Sequence, residues 1–228
     1  ALTQALAAWS GADCGGSPPS LEASVGDDVA CGRVEYNLEA GNANVVVFRD
    51  EAWPYPDGAT LALSTVTYGI DTGTIFDADL ELNSAQVEFT TTTDGVQIDL
   101  LSVLTHEAGH LLGLAHTPDA LATMNAEYTP GTLALRTLEA DDVAAVCAAY
   151  PPAAPAPSCD SEPPGGFASE CGGVAPAPSG CAVAEPLGES SPQGGRFALW
   201  LAALGFAALQ TRETSAARAR RARRHPCA

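Results

Sequence analysis

His106-Glu107-Ala108-Gly109-His110-Leu111-Leu112-Gly113-Leu114-Ala115-His116 holds three of the four histidines of this 228-residue chain. On a helix, His106 and His110 stand one turn apart on the same face, so both imidazoles reach a single metal ion at about 2.0–2.1 Å. Glu107, next to the first of them, leans toward that ion without binding it. Gly113 tolerates a left-handed backbone, which stops the helix and turns the chain so that His116 supplies a third nitrogen. Three neutral ligands leave one tetrahedral position open for water, the arrangement of a catalytic zinc site and not of a structural one. In a chain of this composition, His-Glu-x-x-His is expected by chance about 0.004 times, so coincidence is set aside. The expectation is zinc on His106, His110 and His116, with Glu107 as the base that takes a proton from water.

Outward from the motif, Asp99 is placed to cap a helix over residues 100–112 that Gly113 ends. Upstream, residues 45–48 read as a short buried strand and residues 60–68, alternating and β-branched, as a second. Ile75–Leu82 alternates cleanly: Phe76, Ala78, Leu80 and Leu82 face one side, Asp77, Asp79 and Glu81 the other. That acidic face suits calcium or solvent, a solvated strand face being the commoner arrangement. Thr137 is placed to cap another helix, with Glu139, Asp141 and Asp142 in its first turn, where carboxylates favour the dipole. Residues 1–9 read as the inside of an amphipathic helix with Leu2, Leu6 and Trp9 on one face. Helix, strands, helix, helix is an α/β (α+β) domain over residues 1–150.

Further residues narrow the motif. His116 continues as Thr117-Pro118-Asp119, and Met124, the only methionine, lies eight residues past the third histidine. The whole resembles the matrixin type of metzincin. The resemblance runs to about residue 152 and implies a twisted, mainly parallel sheet of about five strands with three helices. It implies an edge strand, residues 60–67, along which an extended peptide lies, and a turn at Met124 beneath the zinc. Tyr128 falls where matrixins line the pocket for the residue after the cut, and Asp141-Asp142-Val143 resembles their last helix. The activity implied is zinc-dependent endopeptidase cleavage of extracellular protein or peptide. There are departures. Ala126 replaces the proline usual after the methionine, no histidine is left for the second, structural zinc of animal matrixins, and their first strand and propeptide are expected upstream. The alternatives are a catalytically silent zinc-binding surface adhesin or structural module, and a metal-dependent hydrolase of non-peptide substrates.

Charge divides the chain. Residues 1–195 carry three Arg and 27 acidic residues, a net of −24, whereas residues 196–228 carry +6. A body that acidic repels phosphate backbones, which excludes nucleic acid as its partner. Residues 151–195, rich in Pro, Gly and Ser, read as a disordered linker or stalk. Residues 197–209 are 13 consecutive apolar residues, about 20 Å of hydrophobic helix against the ~30 Å of a bilayer core. Arginines follow, as in a plain transmembrane anchor whose basic end stays inside, which is the alternative to a sorting signal. Ser179-Gly180-Cys181, a polar spacer, the apolar run and the basic end together resemble a bacterial myxosortase-type sorting tail, in which the cysteine at the place of Cys181 is the processing point. That resemblance implies a sorting protease as partner, membrane contact through the C-terminus, and a secreted or cell-surface product of the bacterial envelope. Setting aside Cys181 and Cys227, five cysteines remain, enough for at most two disulfides. Cys14–Cys31 and Cys159–Cys171 are the short-loop choices.

Overall fold

The computed structural model describes residues 1–152 and 165–172. Cys159, Cys181, the apolar run and the arginine-rich end lie outside the described residues. In chain order the elements are α1 (Leu2–Ser10), β1 (Val46–Phe48), β2 (Ala62–Tyr68), β3 (Ile75–Leu82), β4 (Phe89–Thr90), β5 (Ile98–Asp99), α2 (Leu100–Leu111) and α3 (Ala140–Ala149). Among the described residues no helix is long and apolar enough to cross a membrane.

Among the described residues the architecture is mixed α/β with three helices, but the sheet is smaller than expected. The five strands form two sheets, a three-stranded one in the order β1-β3-β2 and a two-stranded pair β4-β5. β1 runs parallel to β3, and β2 runs antiparallel to it, pairing Ala62 with Leu82 and Ser64 with Leu80. Residues 11–45, which would supply further parallel strands, carry Pro18, Pro19 and six glycines. Proline removes a ladder donor and glycine raises the entropy cost of an extended backbone, and this stretch stays irregular.

One face of the three-stranded sheet presents Ala62, Leu80 and Leu82, all buried, to Val103, Leu104 and Ala108 of α2. Burial of each leucine contributes about 1.5–3 kcal/mol. α1 packs on α2 with Ala5 and Trp9 fully buried, and the Trp9 indole donates to the Thr105 carbonyl at 2.8 Å. α2 is thereby held from two sides. Its N-terminus is capped as expected, Asp99 accepting from the Ser102 amide at 2.8 Å. α3 begins later than the Thr137 reading. Glu139 is the cap and forms a reciprocal box with Asp142, while Thr137 closes the short 3-10 turn Ala134–Arg136. A box needs a carboxylate three residues past the cap, and only Glu139 has one there in Asp142.

The acidic face of β3 is not solvated. Asp77, Asp79 and Glu81 are at most 1% exposed. Alternation tells which residues share a face, not whether water reaches it. Here irregular residues before and after β1 cover the face and supply donors: Asp79 accepts from the amides of Val45 and Glu35, and Glu81 meets Arg49 and the Tyr55 hydroxyl. Asp77 shares a hydrogen bond with Asp79, and burial together with the Asp79 charge pushes it up to about 7. Unfolded, an aspartate titrates near ~3.9. Between those values the folded chain keeps a proton that the unfolded chain releases, so Asp77 makes stability fall as pH rises from about 4 to about 7 and level off above. Urea denaturation at several pH values is expected to show that decline in the parent and a flatter profile in Asp77→Asn.

The disulfides differ from the short-loop choices. Cys14 joins Cys147 and Cys31 joins Cys171, with Cα atoms 5.5 and 4.5 Å apart. Loop-closure cost grows only slowly with length, so nearness in sequence does not select a partner; nearness in the fold does. Cys14 follows α1 and Cys147 sits on α3, and Trp9 and Val146 of those helices share one core. Cys171 is brought beside Cys31 by residues 165–172, which form isolated bridges Ala30 to Glu170 and Asn42 to Phe167.

Candidate metal centre and carboxylate

α2 carries His106 and His110 on one face, and the chain after it folds back as expected. Gly113 adopts φ +79, its amide bonds the His110 carbonyl at 2.7 Å, and the Leu114 amide bonds the Gly109 carbonyl at 3.0 Å. That reversal brings His116 up to the other two. Its Nε2 lies 3.1 Å from His106 Nε2 and 3.1 Å from His110 Nε2. A tetrahedral ion with nitrogens at 2.0–2.1 Å separates its ligands by about 3.3 Å, so His116 already stands at nearly that spacing from each of the other two.

Donor chemistry fits the same ion. His106 Nδ1 lies 2.6 Å from the Thr123 carbonyl and His110 Nδ1 lies 2.8 Å from the Leu114 carbonyl. A carbonyl only accepts, so Nδ1 carries the hydrogen in both rings and the Nε2 lone pairs turn toward the common point. Burial pushes His106 down to about 4, helped by His110 and His116 against the Thr123 carbonyl; His116 is pushed down too, first by burial and then by His110. Two of the three imidazoles are thus held neutral, as metal ligands must be. Among the described residues, the other convergence of three donor groups is Cys31, Glu35 and Cys171, where the two sulfurs are spent on their disulfide.

Met124 packs against α2 at Gly109. It is 2% exposed, and its thioether presses on Gly109, where an added Cβ would come 2.3 Å from the sulfur and 2.7 Å from the Trp9 ring. Only a residue without a side chain fits between them. With Ala126 in place of proline, other groups brace the turn. Asn125 Nδ2 donates to the carbonyls of Thr117 and Asp119, and the Thr117 amide bonds the Met124 carbonyl. Asp142 of α3, fully buried, accepts from the amides of Thr123, Met124 and Glu139 at 2.7, 2.9 and 2.9 Å.

Tyr128 is half-buried and its hydroxyl is engaged at both ends, accepting from the Asp99 amide at 2.8 Å and donating to the Thr132 carbonyl at 3.0 Å. It ties the loop after Met124 to the start of α2. Arg136 does the same with charge: its guanidinium forks onto buried Asp99 at 2.8 and 2.6 Å, which helps hold that carboxyl below its usual range against burial.

Glu107 is 7% exposed, and its Oε2 accepts from the Ser64 hydroxyl of β2 at 2.8 Å. Burial raises the carboxyl above its ordinary value, while the Ser64 hydrogen bond and His110 oppose that rise. Sequence reasoning did not single out Ser64 or the Thr123 carbonyl. The first is one small residue in an alternating strand, and the second is main chain, which carries no sequence signal.

The matrixin family model (Peptidase_M10) matches residues 49–151. A stretch of 57 residues is 47% identical to Metalloendoproteinase 1-MMP of Arabidopsis thaliana, covering 25% of this chain and 15% of that protein. Residues 49–151, which carry the three histidines, Glu107, Met124 and Asp142, are thus the part of the chain that is similar to matrixins.

Proposed function

We propose that this chain is a zinc-dependent endopeptidase that cleaves extracellular proteins, with His106, His110 and His116 as the metal ligands and Glu107 as the general base. The observation that carries the reading is that His116 Nε2 stands 3.1 Å from the Nε2 atoms of both His106 and His110, beside the helix that also holds the buried carboxylate. When bound, zinc supplies Lewis acidity, which lowers the pKa of water and polarises a carbonyl. Glu107 receives the proton of the attacking water on its carboxylate and hands it to the departing amine, so that neither charge builds up alone. The burial that raises its pKa suits a group that must take a proton and then release it. β2 is an edge of its sheet, and an extended substrate adds to such an edge through main-chain hydrogen bonds. Delivery to the cell surface through the apolar run and Cys181 is part of the same proposal and rests on the sequence of the tail.

Metal removal tests the reading. The purified chain is expected to bind one zinc and to cleave denatured protein; a chelator should abolish cleavage, and added zinc should restore it. A chain that binds zinc at the three histidines yet cleaves no protein or peptide would be the silent surface module instead.

A further inference from the structure

Ser64 lies on β2, the edge strand, two residues from buried Ala62 and on the same face, which packs against α2. Its hydroxyl hydrogen has two oxygens within reach, Glu107 Oε2 at 2.8 Å and the Glu107 carbonyl at 3.4 Å. The shorter contact, to the carboxylate, is the stronger hydrogen bond. The bond spans 43 residues of sequence. It joins the strand along which a substrate would extend to the carboxylate that would move the proton.

A glutamate carboxylate turns readily about its last torsion, whose preference is broad and two-fold. Without an anchor its oxygens exchange places and its plane wanders, while proton transfer needs the acceptor lone pair within hydrogen-bond reach of the donor. Other contacts of α2 with the rest of the domain fix its backbone and its histidines. Ser64 contacts the end of the Glu107 side chain itself.

Building on the proposed endopeptidase reading, we propose that Ser64 is a positioning residue for cleavage. By donating to Oε2 it fixes the plane of the Glu107 carboxylate and makes Oε1 the oxygen that accepts and returns the proton. Ser64 itself exchanges no proton with substrate and holds no metal. Its contribution is to orientation, which acts in the chemical step and not in substrate affinity.

The experiment uses the full chain loaded with zinc, in parent, Ser64→Ala and Ser64→Thr forms. Zinc content, melting temperature, kcat and KM are measured for cleavage of one peptide. The carboxyl carbon-13 signal of Glu107, assigned by its loss in Glu107→Gln, is followed in parallel. Ser64→Ala is expected to keep its zinc and its melting temperature, to lose about tenfold in kcat with KM within about twofold, and to shift the Glu107 signal. Ser64→Thr, which keeps a hydroxyl at the same carbon, is expected to recover most of the kcat and the parent signal. Parent-like kcat in Ser64→Ala, or an unmoved Glu107 signal, overturns the positioning role. Loss of zinc or of melting temperature that Thr does not restore assigns Ser64 to the scaffold and overturns it equally. A zinc-loaded parent that cleaves nothing overturns the endopeptidase reading and, with it, any part for Ser64 in cleavage, whereas the carbon signal then reports the contact alone.

Discussion

Glu107→Gln is expected to keep one zinc per chain and to lose about 10²- to 10⁴-fold in kcat, the range a positioned general base contributes. The substitution keeps the shape of the side chain and an oxygen able to accept from the Ser64 hydroxyl, so the packing of α2 against β2 survives. The three Nε2 atoms are oriented by the Thr123 and Leu114 carbonyls and by the reversal at Gly113, none of which involves the Glu107 side chain. The amide of glutamine, however, has no lone pair basic enough to take a proton from water. Metal analysis and steady-state cleavage on the same sample separate the two effects. Activity within tenfold of the parent, with zinc bound, would remove Glu107 from the role of base.

Asp142→Ala is expected to damage stability and metal binding together. Its carboxylate is the acceptor for the amides of Thr123, Met124 and Glu139, and the first two lie in residues that are at most 2% exposed. A buried donor left without its acceptor costs about 1–3 kcal/mol, so the loss should reach roughly 3 kcal/mol or more. For a domain of this size that is a fall in melting temperature on the order of 10 °C. The link to the metal passes through one residue. Thr123 is held at its amide by Asp142 and orients His106 through its carbonyl, and loss of such outer support weakens metal binding by about 10- to 100-fold. Thermal denaturation and competition with a zinc-binding dye measure the two. An unchanged zinc affinity in a destabilised variant would show that the methionine turn keeps His106 oriented without α3.

The parts of the fold that were legible in the sequence are those specified locally. The α2 helix has a capping aspartate at one end and a glycine at the other, and both act as they read. Ile75–Leu82 shows its two faces in the alternation of its side chains. What the sequence does not carry is what comes to lie on those faces. Asp77, Asp79 and Glu81 read as a wet surface because their covering, the irregular residues before and after β1, has no regular pattern to announce it. The pairing of Cys14 with Cys147 depends on two helices that share one core, which no spacing rule contains. The histidine triad of the candidate centre was legible because its three residues sit on one helix and the turn after it. Ser64 was not, since its partner is chosen by where β2 passes α2. The smaller sheet has a similar origin: family likeness suggests strands that the proline and glycine content of residues 11–45 does not support.

The two sulfur bridges, Cys14 to Cys147 and Cys31 to Cys171, overlap along the chain, and together they enclose every residue of the candidate centre. A single break in the backbone anywhere between Cys31 and Cys147 would therefore release nothing: both fragments would remain one covalent object, stitched across the gap. For a molecule proposed to cut polypeptides in the company of its own copies, a nick in an outer loop would leave scar tissue and not a severed limb.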